Sequence, residues 1–186
     1  DVFFFTNRGR VYKLRAYEIP DAGRQAKGTN VINLIAIEPD EKIQTVLTVS
    51  DGKKEGFLFM ATKNGIVKKT HISEFKNLRK NGLIALSLKD NDELLKVKNT
   101  YGDANIMIVT QNGYAVRFNE KNVRAMGRTA SGVKAINLKD DDVAVCMDIA
   151  VDGEELLVIS ENGFGKRTPV SEYKVQNRGG VGLITY

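Results

Sequence analysis

The feature that most constrains this chain is one phrase written four times. Phe3-Phe4-Phe5-Thr6-Asn7-Arg8-Gly9 returns as Phe59-Met60-Ala61-Thr62-Lys63-Asn64-Gly65, as Met107-Ile108-Val109-Thr110-Gln111-Asn112-Gly113, and as Leu157-Val158-Ile159-Ser160-Glu161-Asn162-Gly163. The glycines stand 56, 48 and 50 residues apart. An apolar, β-prone run that meets Asn-Gly or Arg-Gly and then resumes is a β-hairpin signal, because a tight primed turn needs positive φ at its centre. A second glycine follows each turn, at Gly28, Gly82, Gly132 and Gly182. It precedes an apolar segment: Val31-Leu34, Leu83-Leu86, Val133-Ile136 or Leu183-Ile184. In the three longer copies an acidic turn comes next (Asp40-Glu41, Asp92-Glu93, Asp141-Asp142), and a further apolar strand closes the unit.

Each unit therefore predicts about four short strands. The helix-like stretches near Tyr17 and Ser73-Glu74-Phe75 are too short to count against this. A four-stranded repeat of about fifty residues reads as a β-propeller blade, whose faces are buried against neighbouring blades. The expected architecture is all-β and propeller-like, with repeats near 1–55, 56–104, 105–154 and a shorter one at 155–186. Four such blades suit an open arc or part of a larger ring. The apolar segments that open and close the chain predict a piece of a longer protein.

Positive charge recurs in register with the repeats. Four residues after each turn glycine stand Lys13, Lys69, Arg117 and Arg167, reinforced by Arg15, Lys68 and Lys166. The segment before the second glycine is basic as well, with Arg24, Lys27, Arg79, Lys80, Arg128 and Arg178. Equivalent residues of stacked blades are expected on one outer rim, so these cations predict a band there, segregated from the acidic turns. Such a band suits a bent DNA duplex held through its phosphates, with amides of the Gly-rich loops as further donors. Contacts of this kind carry little base information. The net charge of +5 permits a polyanionic partner.

The chemistry of catalysis is sparse. His71 is the only histidine and reads as a surface residue. The single cysteine, Cys146, excludes an intrachain disulfide, fits a reducing compartment and is expected as a buried small hydrophobe. No nucleophile–base set or metal-ligand spacing appears. No apolar run approaches the ~20 residues of a membrane helix, and no signal peptide opens the chain. The rival to a DNA binder is a propeller that scaffolds protein partners, a role for which the repeated cations have no explanation.

Phe4-Phe5-Thr6-Asn7-Arg8-Gly9-Arg10-Val11-Tyr12-Lys13-Leu14 resembles a blade of the C-terminal, DNA-wrapping domain of the bacterial DNA gyrase A family. So do Gly127-Arg128-Thr129-Ala130-Ser131-Gly132-Val133-Lys134 and the segment from Glu161 to Tyr173. The likeness covers the whole chain and adds Arg10 and Lys134 to the DNA-binding candidates. It implies a six-bladed β-pinwheel with strands exchanged between blades, of which these would be the middle four. It further implies a non-catalytic part of an ATP-dependent type II topoisomerase in the bacterial cytoplasm. Its partners would be duplex DNA, the gyrase B subunit, and the remainder of the gyrase A polypeptide. ATP and Mg would act elsewhere in that enzyme, with no cofactor here. The family's Gln-Arg-Arg-Gly-Gly-Lys-Gly box is absent. Its nearest relative, Gln176-Asn177-Arg178-Gly179-Gly180-Val181-Gly182, has Asn and Val in place of Arg and Lys, so this piece alone is not expected to support supercoiling. The related topoisomerase IV A subunit, with degenerate boxes, shares the resemblance in weaker form.

Overall fold

The computed structural model describes residues 1–49, 55–78 and 81–186. In the first repeat, β1 (Val2–Thr6) and β2 (Arg10–Leu14) form the expected hairpin, and β3 (Ile43–Thr48) returns antiparallel along β1. The second repeat supplies β4 (Phe57–Thr62), β5 (Ile66–His71), β6 (Leu83–Ile84) and β7 (Leu94–Thr100). The third supplies β8 (Asn105–Thr110), β9 (Tyr114–Asn119), β10 (Val133–Lys134) and β11 (Ala144–Ile149). The fourth supplies β12 (Glu155–Ile159), β13 (Gly165–Pro169) and β14 (Leu183–Ile184). All four turn glycines have positive φ, between +72° and +81°, but each closes its turn by donating to the carbonyl of Thr6, Thr62, Thr110 or Ser160. The two central residues before it do not have positive φ, so the expected primed turn is replaced by a turn followed by a left-handed glycine.

The sheets run β3-β1-β2-β6, β7-β4-β5-β10 and β11-β8-β9-β14, with β12-β13 as a pair. The outermost strand of each four-stranded sheet thus comes from the following repeat, so a blade and a sequence repeat are offset. The exchange is fastened at the turn glycine, where Gly9 O accepts from Ala85 N and Gly65 O accepts from Ala135 N. Repeat one shows what this short strand depends on. Val31–Asn33, expected as a strand, is a 3-10 turn with Asn30 Oδ1 accepting from Ile32 N. No strand among the described residues pairs with it, and two-residue strands exist only through their partner.

The second marker glycine is where the exchanged strand crosses the blade it joins. Gly132 has φ +91° and Gly182 φ +88°; a Cβ at Gly182 would stand 2.6 Å from Ala115 O, and one at Gly132 would press on Val67 O in the same way. Gly132→Ala is therefore expected to cost at least about 2 kcal/mol through backbone strain alone, a loss readable by urea denaturation.

Blade faces are stacked on one another, and this decides where the core lies. Leu58 and Met60 of β4 pack with Phe3, Phe5 and Leu86, while Phe59 and Ala61 on its other face pack with Ile106, Phe118 and Met147. That explains the near-continuous apolar runs of β4 and β8, since both faces are covered. In β12 one face is uncovered, and Leu157 and Ile159 are exposed. The acidic turns are partly internal: Asp92 and Asp142 are buried and accept from Asn64 N and Asn112 N, clamping the hairpin turns.

Candidate nucleic-acid interface

A residue in the middle of a strand faces the neighbouring blade, not the rim. The expectation that the second-strand cations form an outer band is overturned at Lys68, Lys69 and Arg117, all of them buried. They stand opposite Met60, Phe59 and Met107 in the hairpin registers, on faces that neighbouring blades cover, the preceding blade over Lys68 and the next one over Lys69 and Arg117.

Each has an internal role instead. Lys69 Nζ donates to Glu120 O at 2.9 Å, lies 3.8 Å from Glu120 Oε2 and 4.9 Å from the centre of the Phe57 ring. Glu120 is fully buried and accepts from Thr100 Oγ1, Gly102 N and Ala104 N. One repeat on, Arg117 donates to the carbonyls of Val170 and Tyr173 and to Asp152 Oδ1 at 2.6 Å. These are staples between consecutive repeats. Lys68 Nζ donates to the carbonyl oxygens of Ala85, Arg128 and Ala130. Burial pushes it down to about 8 from the usual lysine range, and the nearby Arg128 charge adds to the effect.

The remaining cations are more open. Lys13 and Arg15 are half-buried and lie 3.8 and 3.1 Å from the Asp1 carboxylate. Arg10, also half-buried, donates to Asn81 O at 2.8 Å and to Tyr12 Oη. Arg24, Lys27, Lys134, Lys166, Arg167 and Arg178 are exposed, and Arg167 pairs with Glu155 at 3.2 Å. Arg79 and Lys80 lie outside the described residues. Arg128, half-buried, and Arg178 occupy one register: Arg128 Nη1 donates to Ile84 O and Arg178 Nη1 to Lys134 O, both at 3.0 Å. Each arginine thereby ties its loop to the exchanged strand of the repeat before it.

Those loops are largely exposed. Met126 N donates to Lys69 O and Gln176 N to Arg117 O, which lays each loop beside the second strand of the preceding blade before it becomes that blade's outermost strand. They also carry cations that sequence reading passed over. Lys76, Arg124 and Lys174 are exposed and follow directly on the buried Phe75, Val123 and Tyr173. That apolar–cation pair recurs at one point of repeats two, three and four, a signal present in the sequence, while repeat one has Ile19-Pro20 there.

Two other expectations change. Cys146 is exposed, because a bulge between Ala144 and Cys146 turns Val145 and Cys146 outward together. His71 is half-buried at the start of the 3-10 turn Ile72–Phe75, where Nδ1 accepts from Ser73 N, with its ring edge-on to Phe57. No helix among the described residues is long and apolar enough to cross a membrane.

Stacked four-stranded sheets, an exchanged outer strand and basic exposed loops define a repeat domain of the propeller class. The family described as DNA gyrase C-terminal domain, beta-propeller, matches residues 1–50, 56–100, 104–145 and 154–186, and the chain belongs to that family. It is 65% identical over 186 residues to the DNA gyrase A polypeptide of Clostridium acetobutylicum and 50% identical over 187 residues to that of Staphylococcus epidermidis. These matches cover 100% and 99% of the chain but only 22% and 21% of the relatives, so the chain spans about a fifth of their length. Among solved structures, a topoisomerase IV C-terminal domain superposes with a TM-score of 0.92 at 31% identity, over 98% of this chain and 57% of that one. A gyrase A C-terminal domain gives 0.82 at 28%, over 98% and 58%.

Proposed function

We propose that this domain binds duplex DNA through its exposed loops and bends it around the arc of blades. It would do so as a non-catalytic part of the A subunit of an ATP-dependent type II topoisomerase. The observation that carries the reading is the exposed register Lys76, Arg124 and Lys174, set between the blades on loops that also hold Arg128 and Arg178. A duplex presents a phosphate every few ångströms, and cations repeated blade by blade along a curved edge favour a curved path over a straight one. Backbone contact of this kind holds DNA without reading its bases. The parent enzyme would complete a six-bladed pinwheel, work in the bacterial cytoplasm with the gyrase B subunit, and use ATP and Mg in other domains.

Linear duplex titrated at about 50 and about 200 mM salt tests the reading. Phosphate-dominated binding weakens by orders of magnitude across that range. Weak binding at both concentrations would instead favour a scaffold for protein partners.

A further inference from the structure

The loops that cross blades two and three have the same course but differ in their wiring at one amide. In the repeat-four loop, the amide of Gly179 is consumed by Ala135 O, and Gly180 O accepts from Asn137 N. In the repeat-three loop, the counterpart of Gly180 behaves alike, since Ala130 O accepts from Ser87 N. The counterpart of Gly179, however, is Thr129, and its amide has no acceptor among the described residues. The difference lies beneath the loop. Three residues after the turn glycine, blade three has Val116 and blade two has Lys68, each buried. Lys68 holds the Arg128 carbonyl inward and shares the Ala130 carbonyl with Ser87 N, so the inward Arg128 carbonyl is what sets this loop apart.

All peptide bonds described are trans, so a carbonyl pointing in sends the next amide out. The amides of Thr129 and Ser131 consequently face away from Lys68, on residues that are themselves exposed. Among the described residues the ammonium has carbonyl partners only. Across β4 its register partner is Met60, the Leu83–Leu86 segment presents the Ala85 carbonyl, and the charged group facing it from the loop is Arg128. Two positive charges without a carboxylate partner among the described residues, behind two outward amides, make a site that lacks an anion.

We infer that the Gly127–Gly132 loop is a phosphate-oxygen subsite in which the buried Lys68 aims the Thr129 amide outward beside that of Ser131. The subsite rests on the DNA-binding reading and goes further than it, naming one contact and the residue that positions it. Lys68 acts through the loop and touches no ligand. Phosphate and the Lys68 proton favour each other, so the subsite is present below pH 8 and is lost as pH rises through the titration of Lys68.

The test uses the whole chain and inorganic phosphate. Carbon-detected 15N–13C spectra follow the Arg128–Thr129 and Ala130–Ser131 peptide groups without relying on exchangeable protons. Phosphate should shift both groups at pH 7 and leave them unmoved at pH 9.5, although phosphate is more highly charged there. Lys68→Val, which copies the apolar residue of blade three, should abolish the shift at pH 7. It should also weaken duplex binding roughly fivefold and flatten the salt slope by about 0.9, the share of a single phosphate. Unmoved peptide groups in the parent chain at pH 7 would overturn the subsite whether or not DNA binds. Equal shifts in Lys68→Val, or at both pH values, would overturn the role of Lys68. If Lys68→Val does not fold, the pH comparison on the parent chain decides. Shifts with phosphate but no duplex binding would leave the subsite standing and overturn the DNA reading.

Discussion

Glu120→Ala is expected to destabilise the domain by about 3–5 kcal/mol, the range for removing one member of a buried charge pair. The side chain is fully buried in the 3-10 turn Glu120–Asn122, and its two oxygens hold Thr100 Oγ1, Gly102 N and Ala104 N. Truncation strands those donors away from water and leaves the Lys69 ammonium, 3.8 Å away, without a counter-charge. Lys69→Met should cost less, about 2 kcal/mol, because Glu120 keeps its three hydrogen-bond donors. Denaturant titration of the two variants separates the contributions. Equal losses would mean that the ion pair, and not the capping of the Tyr101–Ala104 turn, dominates. The same geometry makes Lys69 and Arg117 poor probes of DNA contact, since replacing either disturbs the joint between repeats.

The second large effect is on binding. Replacing Lys76, Arg124 and Lys174 together by glutamine should lower duplex affinity roughly a hundredfold near 100 mM salt. The slope of log K against log salt should flatten by about 2.7, about 0.9 for each phosphate no longer neutralised. Stability should hardly change, because the three side chains are exposed and make no described ion pair. Charge reversal at the exposed Asp141 should not reduce affinity in the same assay. A triple variant that binds with the parent's affinity and slope would move the DNA path off these loops.

The hairpins were legible because their cause is local. An Asn-Gly or Arg-Gly turn between β-prone runs specifies its own geometry, and each glycine has the positive φ that its turn demands. The exchanged strands were not legible as such. Leu83–Ile84 and Val133–Lys134 are two residues long and are strands only because β2 and β5 lie beside them. Val31–Asn33 carries a similar apolar pattern and folds as a 3-10 turn for want of that neighbour. The likeness to the gyrase A family supplied the exchange as an expectation where periodicity had no access to it.

The cations divide along the same line. Their recurrence at Lys13, Lys69, Arg117 and Arg167 is written in the sequence, as is the pairing of Phe75, Val123 and Tyr173 with a following cation. Which set meets solvent is a property of stacking. A strand's period of two assigns a side chain to one face or the other, but it does not reveal whether a second blade covers that face. With both faces of β5 covered, Lys68 and Lys69 went inside and took carbonyl and carboxylate partners. The loops, free of stacking, kept their charges in water. Repeat, turn and charge register are local and belong to the chain; burial belongs to the neighbour, and only the assembled blades decided it.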